Sequence, residues 1–319
     1  MNPTLLLSFT LTLLYCQVYG AVSDLLPIRS VSVRVKVVDP DGVPVEGATV
    51  YLSLPRYEEG GQDVAVQSLT DLHGMAEVSG PARQDYTVGV GKQGYYFTSG
   101  PQRSLTTEKG IRSFASAEQQ LVLELKPVRN PTASRVRYEQ RLQIPPGDRP
   151  IGYDLEIGDW VQPYGRGKEA DFQFLGTGEA KSDQHYAYSL TLNFSREGDG
   201  IIRVNFPLRR GSQFPFPYAA PKTGYQPTLT WTKSREGAQF RHDNDLTGET
   251  HYLFRVRSEL EPDGSVRRAL YGVVRGDFNF FWTKGEGTQV TFRYALNADG
   301  SDNLEFAPDQ AQAIGRMPP

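Results

Sequence analysis

The stretch Val31-Ser-Val-Arg-Val-Lys-Val-Val38 decides the fold class of this chain. Valines alternate with polar residues, and successive side chains of a β-strand point to opposite faces, so the stretch predicts a half-buried strand. Asp39-Pro-Asp-Gly42 follows at once, and the Asp-Gly pair supports a tight reversal of the chain. We therefore expect a strand that turns sharply into its neighbour.

Similar alternating runs recur to the end of the chain, whereas helical periodicity is nearly absent. An all-β protein is therefore predicted. Two pairs of runs predict hairpins, because each pair brackets a short turn sequence that contains glycine: 252–260 with 266–274, and 186–194 with 200–206.

The composition limits the number of domains and the class of partner. The chain has 319 residues, a net charge of −3 and 38% hydrophobic residues, which predicts about two domains with real cores. A weakly acidic balance gives no general attraction to nucleic acid, so no nucleic-acid partner is expected.

The N-terminus resembles a secretory signal peptide. Residues 5–16 are mostly apolar, but a dozen residues are too few for a membrane span, which needs roughly 20. Val18-Tyr-Gly20 before Ala21 fits a cleavage site, although the first four residues, MNPT, contain no Lys or Arg. We predict a signal peptide over 1–20, which would take the single cysteine, Cys16, with it. We expect no transmembrane segment after cleavage, and a secreted, periplasmic or cell-surface location.

Residues 30–126 form the first predicted domain. The series Val-Arg-Val-Lys-Val-Val-Asp-x-Asp-Gly-x-Pro-Val-x-Gly-Ala-x-Val, then Thr-Asp-x-x-Gly, then Tyr-x-Val-x-Val-x-x-x-Gly-Tyr, covers most of 31–97. It resembles the carboxypeptidase regulatory-like domain. That resemblance implies a transthyretin-like or immunoglobulin-like β-sandwich that acts as a non-catalytic accessory module.

A linker and a second, larger domain are predicted to follow. Residues 127–150 contain Asn130-Pro131 and Pro145-Pro146-Gly147, which favour a linker, although 135–144 is itself strand-like. Residues 151–306 predict a larger β-sandwich or jelly-roll-like domain, and 307–319 a tail. Gly152-Tyr-Asp-Leu-Glu-Ile-Gly-Asp-Trp160 and later motifs resemble the C-terminal regions of bacterial secreted proteins, which implies export but no reaction.

An enzymatic alternative depends on three acids. Asp154, Glu156 and Asp159 lie beside Trp160. Pairs of carboxyl groups serve glycoside hydrolysis, and a nearby aromatic ring can stack on a sugar. This pattern supports a secreted glycoside hydrolase as the alternative function.

Four aromatic residues are candidate ligand contacts. Trp160, Tyr164, Tyr218 and Tyr225 lie in sequence rich in proline and glycine, which is typical of loops. Exposed rings on loops suit stacking on carbohydrate or contact with a protein. The other two tryptophans, Trp231 and Trp282, are expected to be buried.

The densest set of metal-ligating residue types is His242, Asp243, Asp245, Glu249 and His251. Carboxylates suit hard cations, and histidine with a carboxylate suits zinc. An ordinary polar turn explains the same residues. No cofactor is predicted, because no phosphate-binding loop occurs. No nucleophile elbow for serine catalysis occurs either.

The sequence as a whole predicts an exported, non-enzymatic binding or structural protein of the cell envelope. The predicted partner is an envelope polysaccharide or another surface protein.

Overall fold

A computed structural model describes residues 29–54, 64–82, 85–100, 103–104, 106–107, 110–111, 120–206, 211–243 and 249–310. The described chain is almost entirely β, which confirms the predicted all-β class. It forms two compact units: unit 1 comprises Met1–Pro127 with Leu208–Ser212, and unit 2 comprises Val128–Pro207 with Gln213–Pro319. The predicted signal peptide at 1–20 lies outside the described residues. No described helix is long and apolar enough to cross a membrane.

Unit 1 is a sandwich of two main sheets. One sheet has the strand order β11-β1-β4, and the other has the order β3-β2-β5-β7 with β8 also paired to β5. Its strands are β1 (Arg29–Val38), β2 (Thr49–Leu54), β3 (Val64–Leu69), β4 (Met75–Ala82), β5 (Asp85–Gly91), β6 (Tyr95–Tyr96), β7 (Thr98–Ser99), β8 (Arg103–Ser104), β9 (Thr106–Thr107), β10 (Gly110–Ile111), β11 (Gln120–Glu124) and β12 (Lys126–Pro127).

The core of unit 1 follows the alternation seen in the sequence. The four odd-numbered valines of β1, from Val31 to Val37, are buried between the sheets. The turn after β1 is held by the Asp39 carboxylate, which accepts hydrogen bonds from the backbone N–H groups of Asp41 and Val43. Gly42 adopts a φ of 80°, the left-handed conformation that the Asp-Gly pair predicts.

Unit 2 is a larger antiparallel sandwich of two six-stranded sheets. The β24 sheet has the order β13-β24-β22-β21-β18 with β23 also on β24, and the β17 sheet has the order β15-β14-β16-β17-β19-β20. The strands are β13 (Arg135–Gln143), β14 (Ile151–Asp154), β15 (Asp159–Trp160), β16 (Phe172–Ser182), β17 (His185–Asn193), β18 (Gly200–Asn205), β19 (Thr228–Glu236), β20 (Gln239–His242), β21 (Thr250–Leu260), β22 (Val266–Val274), β23 (Asn279–Thr283) and β24 (Gly287–Asn297).

Aromatic rings fill the core of unit 2. Phe172 packs edge-on against Phe254 with ring centroids 5.1 Å apart, and Phe278 lies 5.4 Å from Phe292. Edge-to-face and tilted pairs of this kind each add about 0.5–1.5 kcal/mol beyond the area they bury. The two sheets are therefore held together by large rings that interlock from both sides.

One predicted hairpin is confirmed and the other is wrong. β21 and β22 pair around their turn as expected. β17, in contrast, pairs with β16 and β19, whereas β18 pairs with β21 of the opposite sheet. At the crossing, the Asp199 carboxylate accepts hydrogen bonds from the backbone N–H groups of Arg257 and Ser258, which holds the start of β18 beside β21.

The stretch 127–150, expected as a linker, contains an edge strand of unit 2. β13 pairs with β24, and Ile144 is buried in the core of the same unit. Proline is confined to both ends of the stretch, so the backbone N–H groups of 135–143 remain available for a ladder.

Candidate functional site

Arg257 is the centre of a cluster of charged side chains in unit 2. The residue lies where the β21–β22 register shifts, with a φ of 57°. Its guanidinium donates two hydrogen bonds to Asp171, at 2.8 and 2.9 Å, and further bonds to Asp154 and Glu156. A planar guanidinium matches a carboxylate in this forked geometry. The cluster joins the loop between β14 and β16 to the opposite sheet.

Asp154 holds that loop through its backbone. Its carboxylate accepts hydrogen bonds from four backbone N–H groups, those of Glu156, Ile157, Lys168 and Glu169. Burial by itself would raise the pKa of Asp154, but these bonds and the Arg257 charge together lower it. The carboxylate is therefore ionised and its lone pairs are occupied.

Asp159 has a similar structural role in the next turn. Its carboxylate accepts hydrogen bonds from the backbone N–H groups of Trp160 and Arg166, and the Arg166 bond makes the largest contribution to its lowered pKa. A general acid needs a raised pKa in order to carry a proton near neutrality. Neither Asp154 nor Asp159 meets that condition, and Glu156 is paired to Arg257. The hydrogen bonds and ion pairs that occupy the three acids therefore do not support the glycoside hydrolase alternative.

Two buried acids of this cluster were missed by the sequence reasoning. Burial is the largest influence on Asp171 and on Asp199, and it raises the pKa of both. Nothing in the local sequence distinguishes either residue from an ordinary strand-end aspartate. Only long-range contacts reveal their role: Asp171 binds the Arg257 guanidinium, and Asp199 accepts from the Arg257 backbone N–H.

Trp160 lies in the core and not on a loop surface. It is 6% exposed, and its ring packs 5.3 Å from Tyr153 and 6.0 Å from Phe174. The predicted stacking role of Trp160 is therefore wrong, because its face is covered by other rings. Tyr164, four residues further on, is 48% exposed.

The other two predicted aromatic contacts pack against arginines. The Arg129 guanidinium lies 4.1 Å above the Tyr218 ring, and the Arg255 guanidinium lies 4.4 Å above the Tyr225 ring. No ring contact joins any two of Trp160, Tyr164, Tyr218 and Tyr225 in the described part of the chain. Trp160 is enclosed in the core, and arginines cover one face of Tyr218 and of Tyr225, so the four residues do not all present free rings to a ligand.

The described members of the predicted metal set do not form a ligand group. Asp243 accepts hydrogen bonds from the backbone N–H and the hydroxyl of Thr232. His251 is buried, with its ring 5.9 Å from Phe206 and 5.4 Å from Phe216. Asp245 lies outside the described residues. Over 29–310 as described, no group of three or more His, Cys, Asp or Glu side chains is arranged to hold a metal ion.

A partly exposed aromatic surface extends the inner face of the β17 sheet. Leu190 and Leu192 are buried on this face of β17, and Tyr188 and Tyr186 share it because side chains alternate along a strand. Across the neighbouring strands, one row carries Gly178, Tyr188, Lys233 and His242, and the next row carries Ala180, Tyr186, Arg235 and Phe240.

Glycine lets an indole ring join this surface. The ring of Trp282 lies against Gly178, where an added Cβ would stand 2.5 Å from it. Tyr186 and Tyr188 stack with centroids 5.2 Å apart, and Phe240 lies 5.1 Å from His242. We call this surface the aromatic shelf: Tyr186, Tyr188, Arg235, Phe240, His242 and Trp282.

Cations lie among the rings of the shelf. The Lys233 ammonium donates hydrogen bonds to the Asn279 side chain and the Phe280 carbonyl, and burial lowers its pKa. Arg235 donates to the Gly237 carbonyl. Phe240, at the outer end of its row, is 51% exposed. The shelf combines flat rings with hydrogen-bond donors, which is the chemistry needed to hold a ring-shaped polar ligand.

Comparisons with known proteins do not assign this chain to a family. No protein-family model matches the chain, and no curated protein matches it. Among solved structures, the shaft pilin SpaA from Lactobacillus rhamnosus GG is similar, with 11% identity, a TM-score of 0.22, and coverage of 74% of this chain and 89% of the pilin. BcpA, the major pilin subunit of Bacillus cereus, has 9% identity and a TM-score of 0.21, and covers 88% of this chain and 99% of its own. Likenesses at these TM-scores do not establish a common fold, so the functional evidence is the site itself.

Proposed function

We propose that this chain is an exported, non-enzymatic protein that binds an envelope polysaccharide on the aromatic shelf of unit 2. The observation that carries the proposal is the stacked pair Tyr186 and Tyr188 on a half-exposed sheet face beside Trp282. The carboxypeptidase regulatory-like resemblance of unit 1 fits an accessory module in the same protein.

The chemistry of the shelf suits a sugar. The C–H groups on one face of a pyranose carry partial positive charge, and they pack on the electron-rich face of an aromatic ring. The sugar hydroxyls need polar partners, which Arg235 and His242 offer beside the rings. Aromatic rings with an arginine are also typical of protein interfaces, so another surface protein is the alternative occupant that the binding experiment distinguishes.

Export is supported by the apolar run at 5–16 with its predicted cleavage site after Gly20. N-terminal sequencing of protein recovered from the cell envelope or medium tests it. A first residue of Ala21 is expected. An intact Met1 on protein from the cytosol would contradict export.

A glycan array tests the binding function. The full chain is compared with a Tyr186→Ala/Phe240→Ala variant, which removes two rings from the shelf. Phe281→Ala is the matched control, because Phe281 is 38% exposed and points to the opposite side of β23. We expect the double variant to bind about tenfold more weakly or worse, since interface aromatics commonly contribute more than roughly 1 kcal/mol each.

Two results would overturn the proposal. One is the absence of any glycan bound above background. The other is an equal loss of binding in the Phe281→Ala control and in the double variant, because that would place the contact away from the shelf.

A further inference from the structure

Arg255 is a buried cation with only neutral partners. It is 7% exposed and lies on β21, on the face of the β24 sheet opposite the aromatic core. Its Nε donates to the Gly198 carbonyl at 2.6 Å, and its Nη1 donates to the Lys222 carbonyl at 3.0 Å. Among the described residues no carboxylate lies within 4.0 Å of it, and Nη2 has no protein acceptor but reaches solvent. A buried charge without a counter-charge is costly to the folded state.

A second unmet polar group belongs to the residue stacked on Arg255. The Tyr225 ring lies 4.4 Å from the guanidinium carbon, and its hydroxyl is buried without a hydrogen-bond partner in the described chain. Tyr271 occupies the position opposite Arg255 on β22. The Asp302 carboxylate interacts electrostatically with Tyr225, but Asp302 is exposed and forms no ion pair with Arg255.

We propose that Arg255 and Tyr225 form a binding site for the carboxylate of an acidic sugar. A carboxylate has two oxygens, so it can accept hydrogen bonds from Nη2 and from the Tyr225 hydroxyl while it neutralises the buried charge. The sugar class rests on the proposed glycan-binding function. The site is separate from the aromatic shelf, because it lies on the outer face of the other sheet.

The test measures the melting temperature of the full chain in rising sodium D-glucuronate. D-Glucose is the uncharged control, and sodium chloride keeps the ionic strength equal. A ligand that binds only the folded chain raises its melting temperature. We expect glucuronate to raise the melting temperature of the unsubstituted chain and glucose to leave it unchanged.

Three variants locate the effect. Arg255→Gln is expected to abolish the glucuronate effect, and Arg255→Lys to weaken the apparent affinity about tenfold, because lysine keeps the charge but loses the fork. Arg241→Gln is the control, since Arg241 is an exposed arginine on β20. Tyr186→Ala is expected to keep the glucuronate effect, so the failure of this site and the failure of the shelf can be distinguished.

A second measurement, on the unsubstituted chain, is used if the Arg255 variants do not fold. In the unsubstituted chain, the Arg255 Nε–H resonance is expected to shift as glucuronate is added. The proposal is overturned by an absent glucuronate effect, by an equal effect in Arg255→Gln, or by an unshifted Arg255 resonance. Stabilisation by an acidic peptide with none by glucuronate would overturn the assignment to a sugar.

Discussion

Arg257 binds both oxygens of the Asp171 carboxylate, at 2.8 and 2.9 Å, across 86 residues of sequence. The pair joins the two sheets of unit 2, because Arg257 belongs to β21 and Asp171 immediately precedes β16. Both side chains are largely withdrawn from water. The ion pair between them therefore offsets part of the free-energy cost of burying each charge.

Removal of Arg257 should destabilise the protein strongly. In Arg257→Met, Asp171 and Asp154 remain buried and lose their shared cation. We expect the free energy of unfolding to fall by about 3–5 kcal/mol, measured by urea denaturation. Arg166→Gln is the control, since the Arg166 side chain is 85% exposed and its pair with Asp159 should contribute less than about 1 kcal/mol. Equal losses in the two variants would contradict the role of the cluster.

The pKa shifts of Asp154 and Asp171 predict how the free energy of unfolding changes with pH. Asp154 has a folded-state pKa below its ordinary value of 3.8. Its contribution to stability is therefore complete above pH 3.8 and is lost as the pH falls through the folded-state pKa. Asp171 has a raised folded-state pKa and acts in the opposite sense, so its contribution to stability decreases as the pH rises from 3.8 through that pKa.

Asp154→Asn separates these two influences. We expect the variant to be less stable than the unsubstituted chain at neutral pH, and to lose less stability on acidification below pH 3.8. Urea denaturation at a series of pH values measures both. An unchanged acid slope in the variant would show that Asp154 is not held in its ionised form.

Trp160→Ala tests whether Trp160 is a core residue and not a ligand contact. Because Trp160 packs in the core, we expect a loss of about 3–5 kcal/mol in the free energy of unfolding. Glycan binding per folded molecule should be unchanged. Tyr164→Ala, at an exposed position of the same loop, should change neither quantity. Weaker glycan binding in a stable Trp160→Ala variant would restore the surface role.

Gly178 should tolerate no side chain. A Cβ there would stand 2.5 Å from the Trp282 ring, so Gly178→Ala must displace the indole. We expect a loss of about 1–3 kcal/mol in stability, together with weaker glycan binding. Gly147→Ala is the control, because its Cβ would meet nothing closer than 3.8 Å and the backbone there is not left-handed. Its stability should change by less than about 0.5 kcal/mol.

The sequence predicted the β-strands well where local alternation determines them. β1 is the clearest case, because the positions of its valines alone place them in the core. β22 begins and ends at the predicted residues, since a glycine turn precedes it. Such features depend on neighbours within a few residues, and the sequence contains that information directly.

The sequence did not predict the candidate site, because the site is formed by contacts between residues that are distant along the chain. Trp160 lies among prolines and glycines that predict a loop, yet the loop is pinned by Asp154 and Asp159 so that its ring enters the core. The aromatic shelf arises because the alternation of β17 continues beyond the end of the core. In the sequence, Tyr186 and Tyr188 therefore do not differ from ordinary strand residues, and only the sheet order places them beside Arg235 and Phe240.

The most direct test of glycan binding on the shelf follows the indole N–H resonances of the three tryptophans during titration with a glycan selected on the array. Trp231 donates its indole N–H to Tyr252 in the core, and Trp160 is enclosed by rings, whereas Trp282 is part of the shelf. We predict that the Trp282 resonance shifts with saturation while the other two stay in place. A shift of Trp160 with Trp282 unchanged would contradict the account.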